Sequence, residues 1–561
     1  MTNPGLPAIP APLLQVRDLS IALPGHGSDR PFAVQDVSFD LHAGEILCIV
    51  GESGSGKSMS ANAIMGLLPA YLQPVPASRI LLQGRDLLRT DEPTLRAMRG
   101  RDVAMIFQEP LSALNPVMTV GRQILEVIEA HGALPAGAAH VRMLEMLHFV
   151  GLPDPEALQH SHPFRLSGGQ RQRVMIAMAL VLEPRLLIAD EPTTALDVTT
   201  QAQILALIKR IQRDKGMAVM LVTHDFGVVA EIADRVAVME RGVLVEQGPA
   251  AQVLNAPAHA YTQRLIAAVP HARSAEAAAV AGPPLLRVQG LRKTYRSGGW
   301  FGRGQRVVQA VDGVDFELRR GETLGIVGES GSGKSTIGKC LLRLTTVEGG
   351  QIVFDGRDLA PLSQRELRPL RRDIQMIFQD PFASLNPRHT VGRIISDGPR
   401  AAGVAAAEAR ARARELLALV GLEPSAYERY PNQFSGGQRQ RIGIARALAL
   451  NPRLLVADES VSALDVSVQA QVLALLAELQ RRLQLAMVFI THDMRVAAQV
   501  CQRIAVMHRG RIVEQGPPAQ IFDAPRHEYT QRLIASIPGQ HWDSRRPATA
   551  AAAAAAAAQA A

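Results

Sequence analysis

The sequence predicts an α/β protein that contains the same domain twice, each copy with a mostly parallel sheet at its core and a helical subdomain. The duplication is visible in the segment LSGGQRQRVMIAMAL, which starts at Leu166 and returns as FSGGQRQRIGIARAL at Phe434. The segment LLIADEP at Leu186 likewise returns as LLVADES at Leu454. In both halves, short apolar runs that indicate buried strands alternate with helical stretches, which is typical of a parallel sheet covered by helices.

The repeats place one domain at residues 1–270 and the other at residues 285–538. Between them, residues 271–284 are mainly alanine, proline and small polar groups without apolar periodicity, so we expect an exposed linker. Residues 539–561 end in a nearly pure alanine run with no amphipathic face, so we expect disorder there. The helical subdomains are expected at residues 121–166 and 392–434.

Composition restricts the class of protein. No apolar run approaches the roughly 20 residues that a membrane-spanning helix needs. The N-terminus lacks a basic region followed by an apolar core, so we expect residence in the cytosol. Cys48, Cys340 and Cys501 are far apart and form no CxxC pair, which argues against a disulfide framework or a metal cluster. The net charge of +8 would suit an anionic partner, but the arginines are dispersed over predicted helices and mark no single surface.

The string GESGSGKS occurs at residues 51–58 and again at 328–335, each time after an apolar strand. In this GxxxxGK(S/T) spacing the glycines let backbone N–H groups surround a phosphate, the lysine reaches the β- and γ-phosphate oxygens, and the last serine offers its hydroxyl to Mg²⁺. The sequence therefore predicts two nucleotide sites. The expected binding residues are Gly51, Ser53, Gly54, Gly56, Lys57 and Ser58 in the first half and Gly328, Ser330, Gly331, Gly333, Lys334, Ser335 and Thr336 in the second.

A pair of carboxylates ends another apolar strand in each half. Open α/β sheets bind their ligands at the carboxyl ends of the strands, which is where these pairs are expected to lie. The aspartate is suited to organise Mg²⁺, and the glutamate to polarise the water that attacks the γ-phosphate, a general-base role typically worth roughly 100- to 10,000-fold in rate. We expect Glu191 and Glu459 to be catalytic and Asp190 and Asp458 to join Ser58 and Ser335 as metal-binding residues.

Together these segments resemble the ATP-binding cassette ATPases, which are P-loop NTPases, over residues 13–269 and 285–538. The diagnostic string is SGGQ, which begins an apolar helix where a serine hydroxyl, glycine amides and the positive helix end can hold a γ-phosphate. In this family two cassettes pair head to tail around ATP, so the resemblance implies that Lys57 works with Ser435 and Lys334 with Ser167. The signature residues are Ser167, Gly168, Gly169 and Gln170, and Ser435, Gly436, Gly437 and Gln438.

Other positions match the family one by one. Gln108 and Gln379, each ending an MIFQ segment, resemble the glutamine that contacts Mg²⁺ and the attacking water. His224 and His492, each in a Thr-His-Asp segment, resemble the switch histidine at the γ-phosphate and are expected to be catalytic. Because both halves keep all of these residues, we expect two sites that hydrolyse ATP.

One departure distinguishes the halves. Tyr295 resembles the aromatic residue on which adenine stacks, whereas Leu23 occupies the matching position in the first half. Stacking a base on an aromatic side chain is worth roughly 1–3 kcal/mol. We therefore expect weaker or less base-selective ATP binding at the Lys57 site, where Phe32 is the nearby aromatic residue that could substitute.

Further segments indicate a subfamily. The strings QEPLSALNP and QDPFASLNP, and the later strings APAHAYTQRL and APRHEYTQRL, resemble the ATPases of dipeptide, oligopeptide and nickel importers. The resemblance implies the ATP-hydrolysing subunit of a bacterial importer for peptides or peptide-like solutes, including glutathione and peptide antibiotics. Such a subunit lies on the cytoplasmic face of the inner membrane and works with two permease subunits and an extracytoplasmic solute-binding protein, not with nucleic acid.

Soluble tandem-cassette ATPases that act on ribosomes or on nucleic acid are the alternative. Translation factors of this type normally carry a long, charged helical connector, whereas the connector here is short and rich in alanine and proline. Repair ATPases usually contain zinc modules or a long coiled coil, and the sequence shows neither cysteine pairs nor extended heptads.

Overall fold

The computed structural model describes residues 11–24, 30–132, 134–194, 196–270, 282–297, 306–462 and 464–542. The expected linker lies outside these residues up to position 281, and the expected disordered tail from position 543 onward. The described residues divide into two compact units, the first formed mainly by residues up to 268 and the second mainly by residues 269–537.

Within each unit the strands and helices follow one another in the same order. The strands of the first half are β1 (Leu14–Ala22), β2 (Phe32–Leu41), β3 (Ile46–Val50), β4 (Arg79–Leu82), β5 (Arg85–Asp86), β6 (Val103–Ile106), β7 (Leu186–Asp190), β8 (Ala218–Thr223), β9 (Arg235–Glu240) and β10 (Val243–Pro249). Its helices are α1 (Lys57–Met65), α2 (Glu92–Met98), α3 (Pro110–Ala113), α4 (Val120–Ala130), α5 (Ala136–Phe149), α6 (Pro155–Leu158), α7 (Gly168–Leu180), α8 (Val198–Lys215), α9 (Phe226–Ile232), α10 (Ala250–Asn255) and α11 (Ala260–Ala267).

The second half repeats this arrangement, except that a 3₁₀ helix at Pro424–Glu428 takes the place of α6. Its strands are β11 (Pro284–Ser297), β12 (Arg306–Arg319), β13 (Thr323–Val327), β14 (Gly349–Phe354), β15 (Arg357–Asp358), β16 (Ile374–Ile377), β17 (Leu454–Asp458), β18 (Ala486–Thr491), β19 (Arg503–His508) and β20 (Arg511–Gly516). Its helices are α12 (Lys334–Leu341), α13 (Gln364–Leu370), α14 (Pro381–Ser384), α15 (Val391–Ala401), α16 (Ala406–Leu419), α17 (Gly436–Leu448), α18 (Val466–Leu483), α19 (Met494–Val500), α20 (Pro518–Asp523) and α21 (Glu528–Ala535).

A six-stranded sheet forms the centre of each unit. Its order is β6-β7-β8-β3-β9-β10 in the first and β16-β17-β18-β13-β19-β20 in the second. All neighbours pair in parallel except the last two strands, which are antiparallel. The identical order confirms the prediction of a duplicated α/β domain with a mostly parallel sheet. It also brings the carboxyl ends of four neighbouring parallel strands, β6, β7, β8 and β3, to one edge, where the candidate site lies.

A second, antiparallel sheet was not predicted from the sequence. Its order is β2-β1-β4-β5 in the first unit and β12-β11-β14-β15 in the second. In the first unit its apolar residues, such as Val16 and Phe39, share one core with Leu47 and Ile188 of the central sheet. The pairing of β1 with β2 is interrupted by shifts of register, so the strands lack the regular alternation that would indicate a half-buried strand.

The helical subdomains lie where the sequence predicted them, with α4 to α6 in the first unit and α15 and α16 in the second. None of the helices within the described ranges has the length and apolar character needed to cross a bilayer. Cys48, Cys340 and Cys501 are free and buried. Burial raises the pKa of the Cys340 thiol to about 11.

Candidate active sites

The two phosphate loops connect β3 to α1 and β13 to α12, and their shape depends on glycine. Gly56 and Gly333 each precede the first residue of the helix with φ values of 101° and 108°. A Cβ atom at Gly56 would lie 2.8 Å from the carbonyl oxygen of Ala33, and one at Gly333 would lie 2.0 Å from that of Ala310. Both the left-handed backbone and the close approach therefore exclude other residues. The loops also contain Gly51, Ser53, Gly54 and Ser58, and Gly328, Ser330, Gly331 and Ser335, with Thr336 in the first turn of α12.

The lysine of each loop folds back over it. Lys57 Nζ donates hydrogen bonds to the carbonyl oxygens of Gly51 at 2.7 Å and Glu52 at 2.8 Å. Lys334 makes the same pair of bonds to Gly328 and Glu329. Burial lowers the pKa of Lys334, although neighbouring carboxylates oppose that shift. Each ammonium group therefore lies over the backbone that the sequence predicts to hold phosphate, at the N-terminus of a helix that favours an anion.

An aspartate at the end of β7 or β17 contacts the last serine of the loop. Ser58 Oγ donates to Asp190 Oδ1 at 2.9 Å, and Ser335 Oγ donates to Asp458 Oδ1 at 2.9 Å. Burial raises the pKa of both aspartates, while the serine hydrogen bond opposes that shift. The arrangement combines hydroxyl and carboxylate oxygens, the donors that Mg²⁺ prefers, with a desolvated charge that a cation would offset. These residues fit a magnesium ion.

Glu191 is held by three neighbouring side chains. Gln108 Nε2 and Thr194 Oγ1 each donate to Glu191 Oε2 at 2.9 Å. His224 Nδ1 lies 3.1 Å from Glu191 Oε1. Burial would raise the pKa of Glu191, but the contacts with His224 and Thr194 and the charge of Lys57 outweigh it and lower the pKa to about 2. The carboxylate is therefore ionised and fixed in direction.

Glu459 occupies the same place in the second unit, with a closer glutamine and a more distant histidine. Gln379 Nε2 donates to Glu459 Oε2 at 2.6 Å, whereas His492 Nδ1 lies 3.8 Å from Glu459 Oε1. Ser462, at the position of Thr194, turns its hydroxyl to the carbonyl oxygen of Glu459 instead of the carboxylate. Burial would raise the pKa of Glu459, but the contacts with His492 and Gln379 and the charge of Lys334 outweigh that effect and lower the pKa. Both glutamates have left-handed backbone, with φ values of 46° and 44°.

The signature residues form the N-termini of α7 and α17. Ser167 and Gln170 form a capping box, and Ser435 and Gln438 form the same one. A Cβ atom at Gly169 would lie 2.7 Å from Thr200 Cγ2, and one at Gly437 would lie 2.3 Å from Val468 Cγ1. These glycines let each signature helix approach the next helix closely. Gly168 and Gly436 are the first residues of the two helices.

The residue expected to stack on adenine differs between the units in the structure as well. Tyr295 in β11 is 42% exposed, and Lys293 Nζ lies 5.3 Å from the centre of its ring. Leu23 is partly buried and packs against the core of the first unit. Phe32 begins β2 opposite Ala22.

Sequence reasoning missed two kinds of contact at these sites. The hydrogen bond from Thr194 to Glu191 is one of them. The other joins a C-terminal tyrosine, Tyr261 or Tyr529, to the phosphate loop of its own unit. The duplicated YTQRL segment was the available signal for the tyrosines, but it indicated only a family relationship.

Comparison with known proteins identifies the family. The sequence matches the family described as ABC transporter at residues 34–194 and 311–462. It matches the oligopeptide/dipeptide transporter C-terminal region at residues 245–289 and 513–559. These matches cover most of both halves.

Similar proteins extend over almost the full chain. The glutathione import ATP-binding protein GsiA of Salmonella typhimurium is 48% identical over 572 residues, which is 95% of this chain and 91% of that protein. The peptidoglycan transport ATP-binding protein YejF of Agrobacterium fabrum is 48% identical over 534 residues, covering 94% and 96%. Among solved structures, the post-hydrolysis dimer of the cassette MJ0796 bound to ADP and Pi is 32% identical, covers 42% of this chain and 98% of its own, and has a TM-score of 0.38. Because both family regions occur twice and in order, this chain belongs to the ABC transporter family as a fused, two-cassette ATPase of the dipeptide and oligopeptide branch.

Proposed function

We propose that this ATPase drives the import of peptides or peptide-like solutes through separate permease subunits. The observation that carries the proposal is the cluster around Glu191, built from the carboxyl ends of four neighbouring strands and repeated around Glu459. The cargo class is supported by the two oligopeptide/dipeptide C-terminal regions and by relatives named for glutathione import and peptidoglycan transport.

Binding of ATP would begin at the phosphate loop. The β- and γ-phosphate oxygens replace the carbonyl oxygens of Gly51 and Glu52 as acceptors for Lys57 Nζ, while loop N–H groups donate to the β-phosphate. Ser58 and Asp190 would hold Mg²⁺ together with Gln108, and Ser335, Asp458 and Gln379 would do so in the second unit. When bound, the ion neutralises charge on the phosphate oxygens.

Glu191 and Glu459 would act on the attacking water. The carboxylate accepts a hydrogen bond from water, whose oxygen forms a bond to the γ-phosphorus as the bond to the β–γ bridging oxygen breaks and leaves ADP. The proton lost from the water passes to the carboxylate or to the released phosphate. Glu191 would polarise this water as a general base, and the contacts with Gln108, Thr194 and His224 would fix the orientation of its carboxylate. His224 and His492 would contact the γ-phosphate.

The signature helices would complete the sites after the cassettes pair. Ser167 and Ser435 cap helices whose N-terminal N–H groups can bind an anion. We propose head-to-tail pairing in which Ser435 serves the Lys57 site and Ser167 serves the Lys334 site. The domains at residues 1–270 and 285–538, with the linker at 271–284 between them, would then be the cassettes that pair, within one chain or between two chains.

The proposed partners are two integral-membrane permease subunits and an extracytoplasmic solute-binding protein. The chain would be peripheral to the cytoplasmic face of the inner membrane, and nucleic acid is not a proposed partner. The test is to express the double variant Glu191→Gln/Glu459→Gln in the native host, solubilise the membranes gently and identify the proteins that co-purify. Two polytopic permeases are the expected result, with loss of uptake of labelled peptides or glutathione as the second readout. Co-purification of ribosomes or DNA without a permease would overturn the proposal.

A further inference from the structure

The C-terminal segment of each cassette reaches its phosphate loop through one buried tyrosine. Tyr261 lies in α11, is 4% exposed, and its hydroxyl accepts a hydrogen bond from the backbone N–H of Glu52 at 3.1 Å. Tyr529 lies in α21, is 3% exposed, and accepts the same bond from Glu329 at 3.1 Å. The contact joins residues about 200 positions apart and occurs twice with the same geometry.

The segment before each tyrosine is built to hold it in place. Glu246 accepts hydrogen bonds from the N–H groups of Ala258 and His259 at 2.7 and 3.2 Å. His259 Nδ1 accepts from the N–H of Tyr261 and so caps α11. The second unit repeats these contacts with Glu514, Arg526, His527 and Tyr529. The side-chain amides of Gln263 and Gln531 also donate hydrogen bonds to the carbonyl oxygens of Pro257 and Pro525. The repeated segment therefore has a structural role for its proline, histidine, tyrosine and glutamine.

Glu52 is held from two sides. Its N–H donates to Tyr261, and its carbonyl oxygen accepts from Lys57 Nζ at 2.8 Å. When Lys57 Nζ binds phosphate, its hydrogen bond to the carbonyl oxygen of Glu52 is lost. The hydrogen bond between the N–H of Glu52 and Tyr261 uses a different atom of the residue and can persist. Glu329 is held in the same way by Tyr529 and Lys334.

We propose that Tyr261 and Tyr529 are positioning residues of the ATP sites, which keep the first turn of the phosphate loop in its binding shape while the lysine exchanges carbonyl oxygens for phosphate. The oligopeptide-type C-terminal segment is then part of the nucleotide site of its own cassette. Burial raises the pKa of Tyr529 to about 12, so its phenol stays neutral at physiological pH. This role of the tyrosines affects ATP binding, whichever solute is transported.

The test is ATP affinity of the full chain, measured by displacement of a fluorescent ATP analogue. Tyr261→Phe is made in a Lys334→Ala background, so that the first site is observed alone, and Tyr529→Phe in a Lys57→Ala background. Because each variant loses one hydrogen bond to a partly buried N–H, we expect affinity to fall about three- to tenfold in each case. Hydrogen exchange of the loop peptide that contains residue 52 or 329 is expected to accelerate.

Two controls separate this role from general stability. Tyr71→Phe removes the hydroxyl of a tyrosine that is 72% exposed and should change nothing. Ile266→Val loosens the packing of α11 without touching the hydroxyl, so it should lower the melting temperature but leave ATP affinity unchanged. Unchanged affinity in both Tyr→Phe variants, or an equal loss in Ile266→Val, would overturn the proposal. Failure of the parent backgrounds to bind ATP would instead contradict the assignment of the sites.

Discussion

Replacing Thr194 by valine is expected to slow ATP hydrolysis at the first site about tenfold. The substitution removes the hydroxyl that donates to Glu191 Oε2 at 2.9 Å and leaves a side chain of similar shape. A hydrogen bond to a charged group contributes about 1.5–3 kcal/mol. If the transition state loses the lower value, about 1.5 kcal/mol, the rate falls about tenfold, since 1.36 kcal/mol corresponds to one factor of ten.

The second unit provides the matched control. Ser462 occupies the corresponding position, but its hydroxyl donates to the backbone oxygen of Glu459. Ser462→Ala therefore leaves the contacts of the Glu459 carboxylate in place, and we expect the rate of hydrolysis to change less than about threefold. Thr194→Ser retains a hydroxyl and should restore most of the rate that valine loses.

The assay is single-turnover release of phosphate. Thr194 variants are measured with Glu459→Gln, so that the first site alone hydrolyses ATP, and Ser462 variants with Glu191→Gln. Removing the Thr194 contact also raises the pKa of Glu191, because that hydrogen bond lowers it. A faster rate in Thr194→Val would therefore show that hydrolysis is limited by the basicity of the Glu191 carboxylate and not by its orientation. Equal losses of rate in Thr194→Val and Ser462→Ala would show that the acceptor of the hydroxyl, carboxylate or carbonyl oxygen, does not determine the effect.

Three further outcomes are expected. Glu191→Gln and Glu459→Gln should each lower turnover at their own site by at least about 100-fold; normal turnover in Glu191→Gln together with its abolition in Glu459→Gln would contradict two competent sites. Tyr295→Ala should weaken ATP binding at the Lys334 site by roughly 1–3 kcal/mol in site-resolved titrations, whereas no loss in Phe32→Ala would exclude Phe32 as a substitute platform. The pKa of Glu191 is lowered from 4.5 to about 2, so its ionised form stabilises the fold above about pH 4.5 and loses that effect as the pH falls toward 2. Urea unfolding between pH 3 and 6 should therefore show a difference between wild type and Glu191→Gln that shrinks toward acid pH, and a constant difference would contradict the assigned shift.

The parts of the site that lie in short continuous strings could be predicted. The phosphate loops and the pair Asp190-Glu191 each follow a buried apolar run, and the rule that ligands gather at the carboxyl ends of parallel strands placed them together correctly. Any order of the parallel strands brings these segments to the same edge of the sheet. The antiparallel sheet escaped prediction because its strands are irregular and its partners are set by packing against the central sheet.

Contacts that depend on tertiary packing or on a rotamer could not be predicted. Tyr261 and Glu52 meet only because the C-terminal helix packs beside the phosphate loop, and the sequence gives no distance between them. The strings EPTT and ESVS differ visibly, yet both offer a hydroxyl three residues after the glutamate. The local backbone conformation and the side-chain rotamer decide whether the hydroxyl donates to a carboxylate or to a carbonyl oxygen. Neither can be read from the residue type alone.

The two units differ at the residue expected to contact adenine and in the contacts of the glutamate expected to activate water. The Lys57 site has Leu23 at the position that Tyr295 occupies in the other unit, but its glutamate is held by Gln108, Thr194 and His224. The Lys334 site has the exposed ring of Tyr295, while His492 lies 3.8 Å from Glu459. Stacking acts on the bound ground state as well as the transition state and so mainly affects affinity, whereas a fixed carboxylate acts on the step of water attack. We therefore expect the Lys334 site to bind ATP more tightly and the Lys57 site to hydrolyse it faster, measured as Kd and single-turnover rate with the other glutamate changed to glutamine. One site that is both tighter and faster would show that these local differences do not control the cycle.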